Sequence, residues 1–141
     1  MLTMLVVVWV AFMGDQKAFG QFSIAGASVK TWKLGTGSSD WKVATNWVEG
    51  IVPSATDSVV FPATSTVQTI SNFGGLSIYA ITILGNYTFD VGKTAASFTV
   101  TGQLNIAATY TLTIPRSTTL VLGSGARANI QGILSSENDF T

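Results

Sequence analysis

The sequence predicts an all-β chain wound as a right-handed parallel β-helix, a β-solenoid whose three-faced coils take about 22–24 residues each. Three observations carry this. Apolar residues alternate with Thr and Ser from Leu76 onward, the alternation recurs at a longer fixed interval, and no stretch sustains the helical period of 3.6.

The alternation is regular. Leu76/Ile78, Ile81/Ile83, Tyr87/Phe89/Val91, Phe98/Val100, Leu104/Ile106, Tyr110/Leu112/Ile114, Leu120/Leu122 and Ile130 obey period two. Gly-containing turns separate them, so the pattern predicts strands of three to five residues. Leu76, Phe98 and Leu120 are spaced by 22, as are Ile78, Val100 and Leu122. Ile81/Ile83 recur as Leu104/Ile106 at 23 and as Ala128/Ile130 at 24, and Tyr87/Phe89 recur as Tyr110/Leu112 at 23. Three strand-like pieces per repeat describe a coil with three faces, and stacked coils place equivalent apolar residues above one another at roughly 4.8 Å. A lone coil buries too little to offset the ordering of its backbone, so coils must stack. An antiparallel sandwich is the competing architecture, because short alternating strands also describe that class.

Composition narrows the functional classes. The 141 residues suffice for one domain with a sizeable core. Charged residues make up 10%, well below the usual share of about 25%, and the polar surface falls to Thr, Ser, Asn and Gln. Seven basic residues balance seven acidic ones, which leaves no field to hold nucleic acid. The chain has neither Cys nor His, so thiolate and imidazole metal sites and the commonest general base are absent.

The N-terminal segment has a different character. Leu2 to Met13 is almost wholly apolar, too short to span a hydrocarbon core as a helix but suited to a secretory signal. Residues 1–20 are therefore expected to be an export signal, with Ala18-Phe19-Gly20 as the cleavage site, or Ala25-Gly26-Ala27 as a second candidate. The alternative is a retained N-terminal strand, given Val6-Val7-Val8-Trp9-Val10. Residues 21–72 are read as a tryptophan-rich cap with the first strands, and 73–141 as solenoid coils.

Residues 31–61 carry the most distinctive text: W-x-x-G, a Gly/Ser loop, W-x-x-A-x-N-W, G-x-x-P and D-x-V-x-F. The positions are Trp32, Gly35, Trp41, Ala44, Asn46, Trp47, Gly50, Pro53, Asp57, Val59 and Phe61. This motif resembles the repeat start of large secreted bacterial β-helix proteins, including those with autotransporter-associated β-strand repeats. Later G-x-L-x-I and Y-T-F-x-V-G phrases extend the resemblance over roughly residues 31–134. It implies a secreted or surface-displayed parallel β-helix in an adhesive or structural role. Members of that group are usually much longer than this chain.

Read from the residues alone, Trp32, Trp41 and Trp47 suit a buried cap, with each indole N–H needing an acceptor. Asn46 and Asp57 suit bonds to backbone amides in tight turns. The cap would close a solenoid end that otherwise exposes unpaired strand edges. The alternative reading makes the same tryptophans an exposed platform for sugar rings, in a carbohydrate-binding surface module.

Little in the sequence points to catalysis. Asp40, Glu49, Asp57, Asp90, Glu137 and Asp139 do not group at equivalent coil positions, as a lyase or glycosidase face would require. No nucleophile elbow, phosphate loop or metal cluster is present, so no cofactor is expected. Arg116 and Arg127 read as surface charges. The expectation is an extracellular structural protein: a self-assembling filament or surface-layer subunit, or an adhesive stalk module. Its partner would be a further copy of itself stacked head to tail, with polysaccharide or the cell surface as a further contact and no nucleic acid. Leu120, Leu122, Ile130 and Ile133 are the candidate assembly edge.

Overall fold

The computed structural model describes residues 28–90, 96–115 and 118–136. The expectations for residues 1–20 and for Arg116, Glu137 and Asp139 fall outside them. The described strands are β1 (Val29–Thr31), β2 (Ser58–Phe61), β3 (Gln68–Ser71), β4 (Ser77–Ile83), β5 (Tyr87–Asp90), β6 (Ala96–Ile106), β7 (Thr111–Ile114), β8 (Thr118–Leu122), β9 (Arg127–Ile130) and β10 (Ile133–Ser136). A single 3₁₀ turn, Ala44–Asn46, lies between β1 and β2.

Every pairing between these strands is parallel. The chain is a parallel β-solenoid, and the antiparallel sandwich is excluded. One face stacks β1, β2, the second half of β4, the second half of β6, and β9. Another stacks β3, β5, β7 and β10. The third stacks the first halves of β4 and β6 with β8.

Strand length departs from expectation at one corner. β4 spans seven residues and β6 eleven, because each runs around the bend between two faces without breaking. The register of β4 against β6 shifts between Ile78 and Ala80, which is the bulge that turns the corner. Gly102 sits at the corner of the next coil, where a Cβ would fall 2.3 Å from the Tyr79 ring. The Tyr79 ring thus occupies the space a side chain at 102 would need.

The columns follow the expected intervals on two faces. Ile78, Val100 and Leu122 stand in register, as do Ile81, Leu104 and Ala128, and Ile83, Ile106 and Ile130. Phe98 opposes Leu120. On the face of β3, β5, β7 and β10 the expected pairing of Tyr87/Phe89 with Tyr110/Leu112 is corrected: Tyr87 opposes Leu112 and Thr88 opposes Thr113. Five residues separate Ile106 from Leu112, one of them Thr109 at φ 74°, against three between Ile83 and Tyr87. A slip of two residues preserves which side chains point inward, so the core tolerates it. β2 and β3, read from sequence as part of the cap segment, are already rungs of these same sheets.

The interior is a stack of fully buried Ile, Leu and Val columns with an aromatic run along one side. Phe61 packs on Tyr87 and on Phe89, Phe89 on Phe73, and Phe73 on Phe98, each with ring centroids 5.0 Å apart.

Candidate functional site

The two ends of the coil differ, and the difference is built from identifiable residues. At the N-terminal end the chain leaves β1, loops out through a Gly/Ser segment and returns as an antiparallel cap. Trp32 and Trp47 form an antiparallel bridge, with Lys33 N–H donating to the Asn46 carbonyl at 2.8 Å and Val48 N–H to the Thr31 carbonyl at 2.9 Å. The Thr31 N–H donates to the Glu49 carboxylate at 2.8 Å. The groups of Trp47 itself turn inward locally: its N–H donates to the Ala44 carbonyl and its carbonyl accepts from Gly50 N–H. The reversed strand therefore offers little backbone for further pairing.

The same loop covers the Ser71 end of the free edge of β3. Ser71 N–H donates to the Ser39 carbonyl at 2.8 Å, and Trp41 N–H donates to the Ser71 carbonyl at 2.9 Å. Asn46 holds the loop in place, its Nδ2 donating to the Asp40 carbonyl at 2.8 Å and to Ser38 Oγ at 3.1 Å. Asp57 anchors the other side. Its carboxylate accepts from Ser28 Oγ, from Ser54 N–H at 2.7 Å and from Ser54 Oγ at 2.8 Å. Burial opposes ionisation of Asp57, yet these hydrogen bonds and the nearby Lys30 charge outweigh it and hold the carboxyl below the usual range.

The structure brings Trp32, Trp41 and Trp47 together above Phe61, with accessibilities of 3%, 2% and 1%. Trp32 meets Trp47 edge to face at 5.1 Å. The alternative of a sugar platform on these rings has no support in this arrangement, because none has an open face to stack. Buried Trp41 Nε1, Asn46 Oδ1 and Ser58 Oγ have no protein hydrogen-bond partner.

Sites for chemistry are sparse. Among the described residues no three His, Cys, Asp or Glu side chains cluster as metal ligands. An open groove beside the cap, about 440 Å³, is lined by hydroxyl and amide groups of Thr36, Ser38, Ser39, Gln68 and Thr69, with Lys33 at its rim and no carboxylate. Burial pushes the Tyr87 phenol well above its usual range, and its hydroxyl donates to the Pro62 carbonyl at 2.7 Å. That is a structural bond between coils.

Among the described residues the C-terminal end is open. Leu120 is partly buried, while Leu122 and Ile130 are 43% exposed although their partners one coil back, Val100 and Ile106, are fully buried. The column of Leu112 ends at Leu134, which is also exposed. Ile133, expected at the assembly edge, opposes half-buried Thr111 and points outward, 60% exposed. Counting 22 residues on from Leu112 finds Leu134, a signal present in the sequence.

These features define the class: a parallel β-solenoid with a tryptophan-sealed first end and an apolar, unsealed last coil. The chain belongs to the family described as a domain of unknown function, DUF8693, whose model matches residues 31–137. Neither a curated protein nor a solved structure matches the chain.

Proposed function

We propose that this protein is an extracellular, non-enzymatic structural module: a filament or surface-layer subunit, or an adhesive stalk element, joined to its neighbours through the C-terminal end of its coil. The observation that carries this reading is the exposed last coil, where inward columns end in solvent at Leu122, Ile130 and Leu134. Apolar groups at the end of a parallel ladder favour burial against another ladder. Export is supported by the apolar Leu2–Met13 run and by a surface of Thr, Ser and Asn with few charges. The resemblance of the tryptophan motif to secreted β-helix proteins supports the same compartment.

Sedimentation velocity and negative-stain electron microscopy of the purified protein test the reading. Association that grows with concentration is the expected result. A strict monomer at millimolar concentration contradicts it. Mass spectrometry of the protein recovered outside the cell tests export, with a mature start at Gln21 or Ser28 expected.

A further inference from the structure

We propose that two copies of this chain dock C-terminal end to C-terminal end about a two-fold axis, making a closed pair with a tryptophan cap at each outer end. The proposal rests on the assembly reading above and narrows it to the stalk element, since a two-fold contact closes at two copies and does not extend into a filament or layer.

The backbone of the last coil identifies the chemistry of the occupant. Gly123 N–H donates back to the Val100 carbonyl, Gln131 N–H to the Ile106 carbonyl, and Ile133 N–H to the Tyr110 carbonyl. Amide direction alternates along a strand. The N–H and C=O groups of Leu120, Leu122, Ala128, Ile130 and Leu134 therefore point away from the solenoid, into the space beyond it. These are the same residues whose side chains end the inward columns. A lipid surface would cover the apolar groups and leave the amides unpaired, at a cost for each, while a sugar would pair the amides only by setting its hydroxyls against the apolar columns. A polypeptide ladder of the same three-faced outline satisfies both.

The closed first end explains why that ladder belongs to a second open end. Outward groups of Thr31 and Ser71 are already bonded within the cap, which leaves only Val29 and Thr69 facing out from β1 and β3. Head-to-tail stacking has a shorter, interrupted edge to use there. Charge does not oppose self-docking, because Arg127 is the sole charged residue from 118 to 136. Across the seam the strands pair antiparallel, a geometry open to two identical edges.

The absence of Cys makes the test direct. Asn129→Cys places one thiol on the last coil, and Val48→Cys places one at the capped end, where Val48 is exposed. A single-cysteine variant links to itself through a short bis-maleimide only when that site meets its own copy. The pairing predicts twice the chain mass in sedimentation equilibrium, efficient linking of Asn129→Cys, and none of Val48→Cys. Ile130→Lys should return the mass to one chain with an unchanged circular dichroism spectrum. A polymer in which only the Val48→Cys/Asn129→Cys double variant links overturns the pairing and leaves the assembly reading standing. A monomer at all concentrations, as when the chain's own N-terminal segment covers the end, overturns both.

Discussion

The indole N–H of Trp47 donates to the main-chain carbonyl of Trp41 at 2.9 Å, while the two rings meet edge to face with centroids 4.8 Å apart. One contact thus satisfies a buried donor and packs two of the largest side chains over the first turn of the solenoid. It explains how a short loop can seal an end that would otherwise present bare β-edges.

Trp47→Phe should keep most of the packing and lose the hydrogen bond, leaving the Trp41 carbonyl short of a donor, at a cost of about 1–3 kcal/mol. Trp47→Ala should cost about 3–5 kcal/mol through the cavity it leaves. Urea unfolding checks both: the midpoint falls in that order while the slope stays near that of the parent protein.

Two glycines give a contrast in the last coil. A Cβ at Gly132 would lie 2.3 Å from the Tyr110 carbonyl and 2.4 Å from that of Ala107, both backbone atoms that cannot swing aside. Gly132→Ala should therefore cost about 1–3 kcal/mol by overpacking and loosen β10 first. At Gly125 there is open space, and only its φ of 80° disfavours a side chain, so Gly125→Ala should cost about 1 kcal/mol. Hydrogen exchange checks the location: in Gly132→Ala the Ile133 and Ser135 amides lose protection while those of β2 and β4 keep it.

The acid limb of stability should report Asp57. Its folded carboxyl titrates below its unfolded value, so ionisation favours the native state, and the contribution is present above about pH 4. It is lost as pH falls through the folded value. Asp57→Asn should be less stable than the parent at pH 7, with the difference shrinking toward pH 2. Urea midpoints measured across that range check it; a constant difference would remove Asp57 from the account.

The cap tryptophans should be silent toward sugars. In a Trp9→Phe background only Trp32, Trp41 and Trp47 report. Their emission should be blue-shifted, resist acrylamide quenching, and stay unchanged when soluble polysaccharides are added. A saturable change on addition would show that the indoles are reachable.

How far the sequence could be read is clearest residue by residue. Ile83, Ile106 and Ile130 were legible as one column because side-chain period and coil length coincide there. Tyr87 against Leu112 was not, because turn length is set by backbone geometry such as the positive φ of Thr109, which composition does not encode. The roles of Asn46 and Asp57 followed from their chemistry, whereas the antiparallel return of Trp47 onto Trp32 is a tertiary event with no periodic signal. That Ile133 points outward while Leu134 ends the column follows from the register of β10 with Thr111 and Leu112.

Methyl–methyl nuclear Overhauser contacts in an Ile-labelled sample bear most directly on the coil itself. The solenoid predicts strong cross-peaks from Ile83 to Ile106 and from Ile106 to Ile130, residues 23 and 24 apart in sequence. Cross-peaks that instead join neighbours across tight hairpins, with these two pairs silent, would contradict the stacked columns on which the fold and the open end depend.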